Sequence, residues 1–230
     1  MFVLLTVCVA TGSATVAQES TTLVGTVTVV GPIPAPQQVI VKRDADFCGN
    51  QVAVQPVTVS KASRGLLHAV VSVEGLKVQS SAPQRTPTVI KNRKCAFMPR
   101  ISTMQVETLL EVGNDDPVLH NTHIRNQNRT ILNVAMVPFG RTIQKTVKEP
   151  GLLKLQCDAH RFMEGYTVVF EHPYFAITDE TGRFRIPGLP PGIRRITIWH
   201  ETLGVLEQEV NIPAQGEFSV HFNYSSPSGP

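Results

Sequence analysis

The 230-residue sequence is 42% hydrophobic and 17% charged, which is enough apolar material for a buried core and too little charge for a chain that stays disordered. Its net charge of +3 is too slight to argue for nucleic acid. No Lys/Arg run, glycine-rich phosphate loop or aromatic-basic RNA motif occurs in it.

Residues 1–17 open Met1-Phe2-Val3-Leu4-Leu5-Thr6-Val7-Cys8-Val9-Ala10 and continue through small residues to Ala17. This is the apolar core of a secretory signal peptide without the usual basic start, so the expected location is periplasmic or otherwise exported. No other apolar run reaches the length of a membrane span, and no transmembrane segment is expected in the mature chain. From residue 20 onward Val, Ile and Thr recur in short runs between Gly and Pro. The pattern predicts strands at 24–30, 52–59, 66–73, 104–112, 131–137, 141–147, 152–157 and 166–171. Further strands are predicted at 175–178, 183–186, 194–199, 206–212 and 217–222. No stretch holds a helical period over three turns, so the fold class is all-β, a sandwich or barrel.

Two breaks divide the chain: the polar connector Ser80-Ser81-Ala82-Pro83-Gln84-Arg85-Thr86-Pro87 and the pair His172-Pro173. They give β segments 20–80, 85–172 and 173–224, with a disordered tail expected at 225–230. Within the last segment, Asp179 and Gly182 bracket a hairpin turn, and 187–192 reads as another turn. That segment is too short for a substantial core of its own, and the first segment is the candidate to complete it.

The chemistry concentrates in Cys157-Asp158-Ala159-His160-Arg161-Phe162-Met163. Leu153, Leu155 and Cys157 alternate with Lys154 and Gln156, which puts Cys157 on the buried face of a strand end. A second imidazole, His120, lies upstream before Asn121. Two imidazoles, a thiolate and a weak axial thioether (His120, Cys157, His160, Met163) form the ligand set of a blue-copper electron-transfer site. His123 is three residues past His120 and faces the other way if both stand on a strand. His68, His200 and His221 read as structural. Asp115 and Asp116 are expected to shape a turn beside Pro117.

Without the signal, Cys48, Cys95 and Cys157 remain. With Cys157 in the metal motif, Cys48 and Cys95 are left either as a disulfide in an oxidising compartment or as two buried free thiols. No Ser-His-Asp or Cys-His catalytic arrangement is convincing, so an electron carrier is expected rather than an enzyme.

The stretch from about Met104 to Val169 resembles a cupredoxin of the plastocyanin and amicyanin kind. The resemblance rests on Asn114-Asp115-Asp116-Pro117-Val118-Leu119-His120-Asn121 and on Pro150-Gly151-Leu152-Leu153-Lys154-Leu155-Gln156-Cys157-Asp158-Ala159-His160-Arg161-Phe162-Met163. It implies a Greek-key sandwich, one type 1 copper on His120, Cys157, His160 and Met163, and a bracing role for Asn121. The whole chain also resembles exported cupredoxin-like proteins of bacteria, some labelled as methylamine-utilisation proteins. In these a module like the carboxypeptidase regulatory domain follows the cupredoxin; here it would be 173–224. Asp46-Phe47-Cys48-Gly49, His172-Pro173-Tyr174-Phe175-Ala176-Ile177-Thr178-Asp179 and Trp199-His200-Glu201-Thr202-Leu203-Gly204 carry that wider match. Such relatives often have Pro-His where this chain has Pro99-Arg100, and Pro-Trp where it has Arg161-Phe162. Arg161 and Phe162 flank a His160 expected to face solvent and are candidates for contact with a redox protein partner. The implied function is single-electron transfer. The alternatives are a periplasmic copper carrier, and a β binding or scaffolding module without functional copper.

Overall fold

The computed structural model describes residues 20–76 and 86–226. The expected signal peptide, most of the 80–87 connector and most of the expected tail lie outside the described residues. The described chain is all-β apart from one four-residue helix, α1 (Ala45–Cys48). In chain order the strands are β1 (Thr21–Val30), β2 (Gln37–Ile40), β3 (Gln51–Val54), β4 (Val70–Glu74), β5 (Thr88–Asn92) and β6 (Phe97–Met98). Next come β7 (Ile101–Gln105), β8 (Thr108–Asn114), β9 (His120–Asn126), β10 (Arg129–Met136), β11 (Ile143–Val147) and β12 (Gly151–Gln156). The last are β13 (Glu164–Phe170), β14 (Phe175–Ile177), β15 (Arg183–Leu189), β16 (Gly192–His200), β17 (Gly204–Ile212) and β18 (Gly216–Ser225).

These strands enclose two cores. The first joins both ends of the described chain. A three-stranded sheet, β15-β1-β18, faces a four-stranded sheet, β14-β4-β16-β17. Strict alternation along β1 buries Leu23, Val27 and Val29, the half-buried pattern of a sheet covering a core. All ten residues of β1 pair in parallel with β18, from Thr21↔Gly216 to Val30↔Ser225. Leu23, Val71, Ile186, Ile198 and Phe222 meet in the interior, each worth about 1.5–3 kcal/mol of burial. The Tyr224 hydroxyl lies 2.8 Å from the Ile198 carbonyl oxygen and 2.9 Å from that of Gly204, so the buried phenol has acceptors for its proton. At the turn after β14, Asp179 Oδ1 accepts from the N–H groups of Thr181 and Arg183. Gly182 there takes a φ of +81° with Gly65 Cα 2.5 Å from where a Cβ would sit, so only glycine fits.

The second core lies between a five-stranded sheet, β10-β9-β12-β13-β7, and a four-stranded sheet, β11-β8-β5-β6. Ile90, Phe97, Leu110, Ile124, Leu153 and Leu155 fill it, together with Cys157 and Met163. The break expected at His172-Pro173 falls between the last strand of this sandwich, β13, and β14, which pairs with β4 of the other core.

Several predicted strands need correction. The expected strand 104–112 is two strands in different sheets: β7 pairs with β13, and β8 with β5 and β11. The chain turns between them at Val106 and Glu107, where Glu107 has a φ of 62°; a continuous apolar run conceals the turn. The strand expected at 52–59 ends at Val54, just before Pro56, which lacks a backbone donor. The stretch before β4 is bent at His68, with a φ of 68°. The turn expected at 187–192 is shorter, because β15 runs to Leu189 and β16 starts at Gly192. Strands β2, β5, β6 and β9 were not expected, and β9 matters most. Its sequence, His-Asn-Thr-His-Ile-Arg-Asn, has no apolar period, because polar His120 and Thr122 hold inward positions and Ile124 is the one apolar residue.

Candidate metal centre

β9 and β12 lie side by side, with Gln156 paired to His123 and Leu155 to Ile124. This register brings the start of β9 next to the end of β12, where Cys157 follows the strand. The loop after Cys157 is closed by its own backbone: the Met163 N–H donates to the His160 carbonyl at 2.8 Å, and the Cys157 N–H to the Met163 carbonyl at 3.3 Å. His160 is thereby turned back towards β9.

The result is a compact donor cluster. Cys157 Sγ lies 3.9 Å from His120 Nδ1 and 3.7 Å from His160 Nδ1, and the two Nδ1 atoms are 3.2 Å apart. His120, Cys157 and His160 are 0%, 1% and 2% exposed, and Cys157 is a free thiol. Met163, also buried, closes the same loop. Sγ accepts the Asn121 N–H at 3.3 Å, while Asn121 Oδ1 accepts the Asp158 N–H at 3.3 Å, so Asn121 ties β9 to the cysteine loop at two points.

Each imidazole has a carboxylate behind it. His120 Nε2 donates to Asp116 Oδ2 at 2.9 Å. His160 Nε2 stands 3.1 Å from Asp44 Oδ2, at ion-pair distance but off the line of a good hydrogen bond. A proton kept on Nε2 leaves the lone pair on Nδ1. Two such lone pairs and a sulfur then point at one small buried volume. Burial, the largest cause, lowers the His120 pKa; the Asp116 hydrogen bond opposes this, and the His160 charge adds to the lowering. The ring is therefore neutral at neutral pH, as ligation requires. A borderline-soft ion with bonds of about 2.0–2.1 Å to nitrogen and about 2.3 Å to sulfur would hold trigonal donors roughly 3.5–3.8 Å apart; the two sulfur–nitrogen separations match this, and the nitrogen–nitrogen separation of 3.2 Å is slightly shorter. The donor set fits copper, for which thiolate and imidazole are preferred ligands.

The other candidates lie apart. His123 points away from the cluster, with Nδ1 3.4 Å from Asp158 Oδ1 and Nε2 3.1 Å from Thr130 Oγ1. His221 Nδ1 is 2.7 Å from Thr26 Oγ1, and His200 Nδ1 accepts the Thr202 N–H at 3.1 Å. Cys48 and Cys95 form a disulfide. Cys95 lies close to Asp116 and His120, but its sulfur is spent in that bond.

Two expectations are overturned and one residue was missed. Asp116 does not merely shape a turn: it is buried, and besides His120 it accepts the Lys94 N–H at 2.6 Å and the Cys95 N–H at 2.9 Å. An acidic residue four before His120 was the available sequence signal. His160 does not face solvent, because the segment that carries Val39, Ile40, Lys42, Arg43 and Asp44 lies against it. Val39, Ile40, Lys42, Arg43, Arg161 and Phe162 help to line a cavity of about 500 Å³ over the ring. Arg161 is exposed and Phe162 half-buried, with the Phe162 ring edge-on to His160 at 5.8 Å. Asp44 had no sequence signal at all.

No protein-family model and no curated protein matches the chain. Among solved structures it is similar to a Cu-containing nitrite reductase from Thermus scotoductus SA-01, at 19% identity and a TM-score of 0.34 over 42% of this chain. The match spans about a quarter, 25%, of that protein's length. It is also similar to a purple cupredoxin from Nitrosopumilus maritimus, at 22% identity and a TM-score of 0.32, over 36% of this chain and 98% of that one. A reduced amicyanin variant aligns at 19% identity and a TM-score of 0.33, over 44% of this chain and 98% of that one. No helix among the described residues is long and apolar enough to cross a membrane.

Proposed function

We propose that this is an exported cupredoxin-type electron carrier, with one type 1 copper held by His120, Cys157 and His160 and with Met163 as weak axial ligand. The observation that carries the reading is the convergence of two Nδ1 atoms and Cys157 Sγ, all buried, within 3.9 Å of one another. Bound copper supplies a one-electron change between its cuprous and cupric states. The chain supplies the rest. Asn121 stabilises thiolate charge through its N–H and, with β9 and β12, fixes the sulfur on the rigid floor of a sandwich. Asp116 holds the His120 ring in its ligating tautomer. The walls exclude water, so the ligands need little rearrangement when the charge changes.

The Cys48–Cys95 disulfide supports an oxidising compartment. The partner would be a redox protein, with Arg161 and Phe162 on the rim as contacts, and segment 173–224 would be the regulatory-domain-like module. Burial of all three strong donors works against a copper carrier, which must hand its metal on. The reading is tested by a one-electron redox titration of the copper-loaded chain. Reversible cycling supports the carrier of electrons. Rapid metal loss to a cuprous chelator, without cycling, would replace it with the carrier of copper.

A further inference from the structure

We infer that residues 41–50, a strap contributed from outside the metal-binding sandwich, form the outer wall of the metal centre, with Asp44 as a positioning residue for His160. This rests on the proposed copper reading. The strap is closed on itself, the Val41 N–H donating to the Asn50 carbonyl at 3.0 Å, and it is anchored to the sandwich by the Cys48–Cys95 disulfide. Asp44 stands between Val41 and Cys48. Its backbone takes a left-handed φ of 55°, uncommon outside glycine and tolerated best by Asn and Asp.

Asp44 also occupies the N-cap of α1, where an aspartate ordinarily accepts hydrogen bonds from the first turn. Its side chain makes no such bond. The carboxylate is turned instead to His160: the same Oδ2 lies 3.1 Å from His160 Nε2 and 3.7 Å from Arg43 Nε. An unusual backbone conformation and a forgone cap both serve one contact.

Two consequences follow. The carboxylate places negative charge behind a ligand ring, which favours the cupric over the cuprous state. The strap also closes the edge of His160, so a partner meets the strap surface rather than the bare imidazole.

Two variants of the full chain separate these effects while respecting the backbone. Asp44→Asn keeps an acceptor and tolerates the left-handed φ, but removes the charge. In the copper-loaded protein it is expected to shift the ratio of cupric to cuprous dissociation constants about tenfold towards the cuprous state, a rise of about 59 mV for a one-electron couple. Asp44→Gly fits the same φ and removes the side chain. In the metal-free protein it is expected to speed carbethoxylation of His160 at least tenfold, read by mass spectrometry, with exposed His221 as the unchanged control. An unchanged potential in Asp44→Asn would overturn the electrostatic role. An unchanged His160 rate in Asp44→Gly would overturn the covering role. If the parent chain develops no thiolate–copper band, the proposed function fails, while the metal-free His160 rates still decide whether Asp44 covers the ring.

Discussion

The two cores bury polar groups in different ways. In the core shared by β1, β4 and β14 to β18, the buried threonines Thr21 and Thr178 bond to the backbone. Thr178 Oγ1 accepts the Ala69 N–H at 2.9 Å and donates to the Leu66 carbonyl at 2.6 Å; Thr21 donates to the Pro213 carbonyl at 2.7 Å. In the sandwich of β5 to β13 the buried polar groups are chained together. Asn114 Nδ2 holds the carbonyls of Val118 and Met136, each at 2.9 Å, its Oδ1 accepts the Asp116 N–H at 3.1 Å, and Asp116 grips His120. The first core is held by apolar fit, whereas the second gives up apolar interior to aim three donor atoms. Stability and ligand geometry should therefore be separable by mutation.

The largest expected effect lies in the apolar core. Phe222→Ala should cost about 3–5 kcal/mol of stability, measured by denaturant unfolding, and leave the copper absorption of the folded protein unchanged. A coupled loss of the copper signal would show that the cores are not independent.

Next is acid. Burial, the largest cause, lowers the His200 pKa to about 4, with Glu201 opposing and His68 and Arg100 adding to the shift. An unfolded histidine titrates near 6.5, so on acidification the unfolded chain takes up the proton first. This contribution is fully present above about pH 6.5 and is lost as pH falls towards 4, roughly 3 kcal/mol in all. Burial lowers the pKa values of His68 and His172 in the same direction. Unfolding free energies at pH 7 and pH 4 should show the loss, and His200→Gln should reduce it.

Asp116→Asn should cost about 1–3 kcal/mol, because one of three donors loses its acceptor. The same change should weaken copper binding about 10- to 100-fold, measured by competition with a chelator. This is the joint effect that Phe222→Ala must not show. Smallest is the exposed pair of Arg129 with Glu149, whose Nη1–Oε1 contact is 2.9 Å: Arg129→Ala should change stability by no more than about 1 kcal/mol and leave copper untouched.

The same contrast explains what could be read from the sequence. β1, β12 and β16 follow apolar alternation, and their existence was legible from it. Cys157, His160 and Met163 stand on one loop, so their types and spacing declared a donor set, and His120 was recognisable beside Asn121. β9 was not legible as a strand, since two of its three inward positions carry His120 and Thr122 and only Ile124 is aliphatic. Asp116 looked like a turn residue because local sequence shows the Pro117 beside it and not the two backbone N–H groups of residues 94 and 95 that fold onto it. Asp44 was beyond reach: its contact with His160 depends on a disulfide and a strap that bring distant parts of the chain together.

The most direct test is a visible absorption spectrum of the full chain after addition of Cu(II), beside Cys157→Ser. An intense thiolate-to-copper charge-transfer band in the parent, absent from the folded variant, is the predicted result. No band in a folded parent, or an equal band in both proteins, would contradict a copper centre built on Cys157.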